Sequence, residues 1–150
     1  MRGGLRPARS AAAATAVIVA AMLTGSCSES RPADSGDGTI RVDATLVSVD
    51  QLQEAVTGLC LALDRLGSDP LASRDIFYDL SHDSLHTIAA AAEDVDRSAA
   101  ASLLQAKAIV EANLDRSPFP PSLGSDLQRL VTTTRAALEV LSIPAPPCEP

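Results

Sequence analysis

Aromatic side chains are almost missing from this sequence. Trp is absent, and one Tyr and two Phe make up 2% of the 150 residues. With so few rings there is little on which to stack bases or sugars, and a net charge of -7 repels phosphate backbones. Nucleic acid is therefore excluded as the expected partner. Motif-borne catalysis is just as thinly represented. No Gly-x-Ser-x-Gly elbow, Cys-x-x-Cys, His-Glu-x-x-His, phosphate loop or Gly-x-Gly-x-x-Gly occurs anywhere in the sequence. Histidine is limited to two residues and cysteine to three. What is present is ordinary for a globular chain: 46% hydrophobic and 21% charged residues, a balance that excludes wholesale disorder, over a length suited to one domain.

The first 26 residues read as an export signal. Arg2, Arg6 and Arg9 precede an apolar run over residues 11–23, the arrangement of a secretory n-region and h-region. That run is too short for a transmembrane helix, which needs about 20 apolar residues. It ends in Leu23-Thr24-Gly25-Ser26-Cys27.

This last segment resembles a bacterial lipobox, in which small residues precede a cysteine that is acylated and becomes the mature N-terminus. The resemblance covers these residues alone. It implies cleavage before Cys27, lipidation of Cys27 with diacylglycerol and palmitate, and a domain anchored to the extracytoplasmic face of the cell membrane. Eleven Arg against one Lys, in an Ala-rich chain, suits a high-GC genome of actinobacterial type. Removing one acylated cysteine leaves an even pair, Cys60 and Cys148, for a disulfide in an oxidising compartment. The mature chain would carry nine basic and 19 acidic residues, a net charge of -10. Contact with anionic lipid then falls to the acyl anchor, since the protein surface is repelled.

Residues 27–47 read as the lipidated cysteine and a linker. Residues 28–38 are polar and rich in Gly, Ser and Pro, the make-up of a flexible tether. Residues 39–47 alternate weakly through Ile40, Val42 and Leu46, but a single strand would lack a partner, so coil is expected. From residue 48 the period becomes helical. Ser48 and Gln51 fit a capping box for a first helix over about 49–66, with Leu52, Val56, Leu59, Cys60, Leu63 and Leu66 inward and Gly67 as its stop. Asp69 and Pro70 open a second helix whose inward stripe is Phe77, Leu80, Leu85, Ile88, Ala92 and Val95. Its length of some 25 residues is great for a bundle helix, and 81–83 is where it would break. Asp96 or Ser98 caps a third, with Ala99, Leu103, Ala106, Val110 and Leu114 inward, before the turn Ser117-Pro118-Phe119-Pro120-Pro121. Leu123, Leu127, Leu130, Val131, Thr134, Leu138 and Leu141 mark a fourth, followed by a proline-rich tail over 144–150. Short loops between amphipathic helices predict an all-α, antiparallel four-helix up-and-down bundle over 48–150.

The candidate chemistry lies in the second helix. On a continuous helical wheel His82, His86, Asp75, Asp79 and Glu93 fall at roughly 140–200° from Phe77. They form a polar stripe of their own. His82 and His86 have the i, i+4 spacing that brings two imidazoles to one metal ion, and Asp79 and Asp83 each precede a histidine by three residues. A divalent transition metal held by His82, His86, Asp79 and Asp83 is one reading; a solvated acidic face with ordinary Asp–His charge pairs is the blander one. Glu54, Glu111 and Glu139, on the other helices, suggest a di-iron pattern only faintly, because both histidines share one helix. Cys60 lies on an apolar face, where a thiol is inert or disulfide-bonded.

The tail can reach Cys60. That residue lies roughly 17 Å along the first helix, and the extended, proline-stiffened stretch 142–148 spans roughly 19 Å. The leading expectation is an envelope-anchored lipoprotein with a non-enzymatic helical module for a protein partner. Its rival is a metal-binding accessory lipoprotein that buffers or delivers copper, zinc or iron. An enzyme comes third.

Overall fold

Residues 39–42 and 45–148 are described by the computed structural model, and they belong to one compact unit, Asp34–Pro150. The export signal, Cys27 and the linker up to residue 38 lie outside the described residues. The fold is all-α in class, with five helices after a pair of short strands among the described residues. None of the described helices is long and apolar enough to cross a membrane.

The hairpin is the first departure from expectation. β1 (Thr39–Val42) pairs antiparallel with β2 (Thr45–Ser48), Thr39 opposite Ser48 and Val42 opposite Thr45. The missing partner of the single strand expected as coil lies within the same segment, residues 45–48 pairing with residues 39–42. β2 runs directly into α1 (Val49–Arg65), and β1 lies against a later helix, the third.

α1 begins with the anticipated capping box. The Ser48 hydroxyl accepts the Gln51 amide N–H at 3.2 Å, while the Ser48 amide donates to Gln51 Oε1 at 3.3 Å. Leu52, Val56 and Leu59 are fully buried, as the period requires. The long second helix is divided at Ser81, within the 81–83 stretch named as its place of breaking, into α2 (Pro70–Leu80) and α3 (His82–Glu93). Ser81 sits between them with φ -122° and ψ -40°, and its hydroxyl donates to the Ala55 carbonyl of α1 at 2.9 Å. Eight residues earlier Ser73 does the same to Ala62 at 2.6 Å. These two buried serines clamp α2 along α1 in the opposite chain direction. Gly58 lies between the two carbonyls, and a Cβ there would meet Ser81 Oγ at 2.5 Å and Leu80 Cβ at 2.7 Å. The close approach that breaks the helix therefore depends on the absent side chain.

The break alters the predicted stripe. Phe77, Leu85, Ile88 and Ala92 are buried, but Leu80 is 38% exposed and Val95, beyond the end of α3, is 63% exposed. Both stand at helix ends: Leu80 is the last residue of α2, and Val95 follows the end of α3 at Glu93.

Asp96, the first of the two cap candidates, accepts the amides of Ser98 and Ala99 at 2.8 and 3.1 Å and starts α4 (Arg97–Leu114). α5 (Leu123–Val140) buries its apolar stripe, including Thr134, whose hydroxyl turns back to the Leu130 carbonyl at 2.8 Å. It ends in a paired 6→1 and 5→2 closure, Ile143 N–H to Leu138 O and Ser142 N–H to Glu139 O, both 2.9 Å. That motif requires a left-handed residue at Ser142, whose φ is 59°, and it packs buried Ile143 beside Leu138.

The proline-rich tail then returns over α1 and α5. Gln53 donates to the Pro144 carbonyl at 2.7 Å and Arg135 to that of Pro146 at 2.8 Å. Cys148 is joined to Cys60 with a Cα–Cα distance of 5.3 Å, inside the usual range for a disulfide. The predicted pairing is what the structure contains.

Candidate functional site

Lys107 is the single lysine of the chain, and it is one of the largest fully buried side chains, 2% exposed. An ammonium group is rarely buried unless its charge is answered. Here the answer comes from two helices. Lys107 Nζ donates to Glu111 Oε1, one turn further along α4, at 2.6 Å. It also lies 2.8 Å from Nε2 of His86 on α3.

His82 completes the arrangement. Its Nε2 is 2.7 Å from the same Glu111 oxygen, and its Nδ1 is 2.9 Å from Asp83 Oδ1. The two rings face different partners: His86 Nε2 meets the Lys107 ammonium, whereas His82 has a carboxylate oxygen at each ring nitrogen. The rings stand edge to face with centroids 5.5 Å apart. Tyr78 packs 5.4 Å from His82, and Phe77 5.1 Å from Tyr78. Tyr78, His82 and His86 thus stand in a row, each ring beside the next, and His86 at its end meets Lys107.

Electrostatics follow from this geometry. Burial by itself would raise the Glu111 carboxyl, but Lys107 first, by hydrogen bond and charge, and then His82 outweigh it and hold the group below its ordinary value of 4.5. The Tyr78 phenol moves the other way: partial burial raises it, and the carboxylates of Asp115 and Glu111 add to the rise against a smaller opposing effect of Arg74.

The candidate residues named from the sequence separate into two groups. His82 and His86 come together as expected, and Glu111 from another helix joins them. Asp79 and Asp83 do not gather into a ligand set. Asp83 is nearly fully exposed and bonds its immediate neighbour His82 rather than His86 three residues on, and Asp79 is exposed. Neither predicted Asp-x-x-His pair forms: the break at Ser81 puts Asp79 and His82 on separate helices, while on α3 Asp83 turns to His82 and His86 to Lys107. Asp75 pairs with adjacent Arg74 at 3.2 Å. Glu54 and Glu139 stay exposed. Among the described residues no group of three or more His, Cys, Asp and Glu side chains is arranged to hold a metal ion.

Lys107 is the residue that the sequence reading missed. Its signal was available: one lysine among 12 basic residues, flanked by Leu103, Ala106 and Val110, with a glutamate four positions on. No protein-family model matches this chain, and no curated protein or solved structure is detectably similar to it. The cluster joins α3 to α4 through charges that satisfy one another.

Proposed function

We propose that this protein is a lipoprotein of the cell envelope, anchored at the extracytoplasmic face through acylated Cys27, whose helical domain is a non-enzymatic module for a protein partner. One observation carries the reading: the Cys60–Cys148 disulfide. Disulfides persist in oxidising compartments, so the pairing supports export, and it leaves Cys27 as the third cysteine. The 13-residue apolar run and the small residues before Cys27 supply the matching signal. We also infer that the domain is an antiparallel up-and-down bundle in which α2 and α3 together make one of four legs. Contacts in opposed sequence order support it: His82 with Glu111 and His86 with Lys107, Asn113 with Asp126, and Leu66 beside Gly124 while Gln53 meets Pro144.

For a partner, α2 offers Leu71 and Tyr78, seven residues apart and so on one helix face, 59% and 37% exposed. Mass spectrometry of the protein from its own membranes should find an acylated N-terminal Cys27 and no residues 1–26. Release into the medium, unchanged by Cys27→Ser, would defeat the proposal. The competing metal role has one observation in its favour, the proximity of His82 and His86. Calorimetric titration with copper and zinc tests it: a loss of binding in His82→Ala/His86→Ala would support that role. A stronger response in Lys107→Met would show that the ammonium takes the place a cation would occupy.

A further inference from the structure

Away from the histidine cluster, one cleft combines space, a cation and no acid in its walls. α4 and α5 leave a cavity of about 250 Å³ lined by Ser102, Gln105, Ala106, Ile109, Arg129 and Thr133. The α4 residues recur at steps of three and four, and Arg129 and Thr133 are one turn apart, so each set faces the cleft by helical period. Buried Ala106 and half-buried Ile109 supply an apolar floor. Arg129 enters none of the ion pairs formed among the described residues. The acid nearest to it on α5, Asp126, is engaged by Asn113 Nδ2 at 2.9 Å. Thr133 donates its hydroxyl proton to the carbonyls of Arg129 and Leu130. The donors left to face a ligand are the Arg129 guanidinium, the Gln105 amide and the Ser102 hydroxyl. The cavity beneath the tail differs: Arg135 there is committed to the Pro146 carbonyl, and Glu139 contributes a carboxylate to the wall.

We propose that the α4–α5 cleft binds a carboxylate carried on a short aliphatic body. The planar guanidinium fork matches a carboxylate in bidentate fashion, Gln105 and Ser102 donate beside it, and the hydrocarbon lies on Ala106 and Ile109. The volume is below the range of drug-sized pockets, so the bound group is small. A free short-chain acid and a glutamate side chain presented by a protein share this chemistry.

The test is an NMR titration of the ¹⁵N-labelled full chain with butyrate and with an N-acetylated, C-amidated Gly-Glu-Gly peptide. Butyramide and the matching Gly-Gln-Gly peptide are the controls. Saturable shifts of the Arg129 Nε–H and Gln105 amide signals are expected, with a dissociation constant on the order of 1 mM for so few contacts. Whichever carboxylate saturates at the lower concentration identifies the source. Arg129→Gln should abolish the response, and Arg129→Lys, a point charge without the fork, should weaken it about tenfold. Arg116→Gln, outside the cleft, should leave it unchanged. Equal shifts with the amides, shifts that survive Arg129→Gln, or an equal loss in Arg116→Gln would each overturn the proposal.

Discussion

Removing either member of the Lys107–Glu111 pair should destabilise the protein, but unequally, and the inequality follows from burial. Lys107 is 2% exposed and Glu111 28%. In Glu111→Gln the ammonium stays buried without a counter-ion, held only by His86 Nε2 and a neutral amide. Stranding a charge in this way costs about 3 to 5 kcal/mol. In Lys107→Met the apolar stem is retained, while Glu111 keeps its contact with His82 and its access to water. The loss should then be that of one charged hydrogen bond, about 1.5 to 3 kcal/mol. The double variant leaves no stranded charge, and exchange of a buried ion pair for neutral groups is often close to neutral. It should be more stable than Glu111→Gln alone. Equilibrium unfolding in guanidinium at pH 7, with the disulfide intact, gives all four free energies. Additive losses, or a larger loss for Lys107→Met than for Glu111→Gln, would refute the burial argument. Acid adds a second readout. Because the folded Glu111 carboxyl is held below 4.5, its stabilising contribution is present above that value and is lost as pH falls through the lower folded value. Glu111→Gln should therefore flatten the decline in stability below about pH 4.5.

Further outcomes test the packing. Gly58→Ala should lower stability by about 1 to 3 kcal/mol despite its better helix propensity, because the new Cβ meets Ser81 and Leu80. Gly67→Ala, with nothing within 4 Å, should stay within about 0.5 kcal/mol of wild type by the same unfolding assay. Cys60→Ser/Cys148→Ser should cost about 2 to 4 kcal/mol, since the disulfide closes a separation of 88 residues. Thiol labelling of the unreduced, denatured wild type should find neither cysteine free. Ser142→Gly should stabilise by about 0.5 to 1 kcal/mol, because the left-handed φ of 59° burdens serine but not glycine, which gives back part of the gain through unfolded-chain entropy. A lower thermal midpoint in that variant would contradict this account of the cap.

Much of the helical framework was legible before any fold was known, because it depends on local rules. The capping box at Ser48, Asp69 before Pro70, the cap at Asp96 and the stripe from Leu123 to Leu138 each rest on contacts within a few residues of one another. Helical period sends the same positions inward whichever neighbour covers them. The disulfide was within reach for a similar reason: few cysteines remained, and extended-chain length bounded how far the tail could go.

Other features exist only between elements distant in sequence. The length of the second helix pointed to a break at 81–83, but what makes it, a carbonyl of α1 and the space left by Gly58, leaves no trace in the local period of residues 70–93. The hairpin at 39–48 needed a partner that the segment found in itself. His82 and His86 were named from their spacing, yet their roles were decided by α4, which brings Glu111 to one ring and Lys107 to the other. Sequence specifies which face of a helix is apolar, because that is a property of period. It leaves open which helix lies opposite and at what depth, so only the tertiary structure could show that the cation among these histidines is the protein's own lysine.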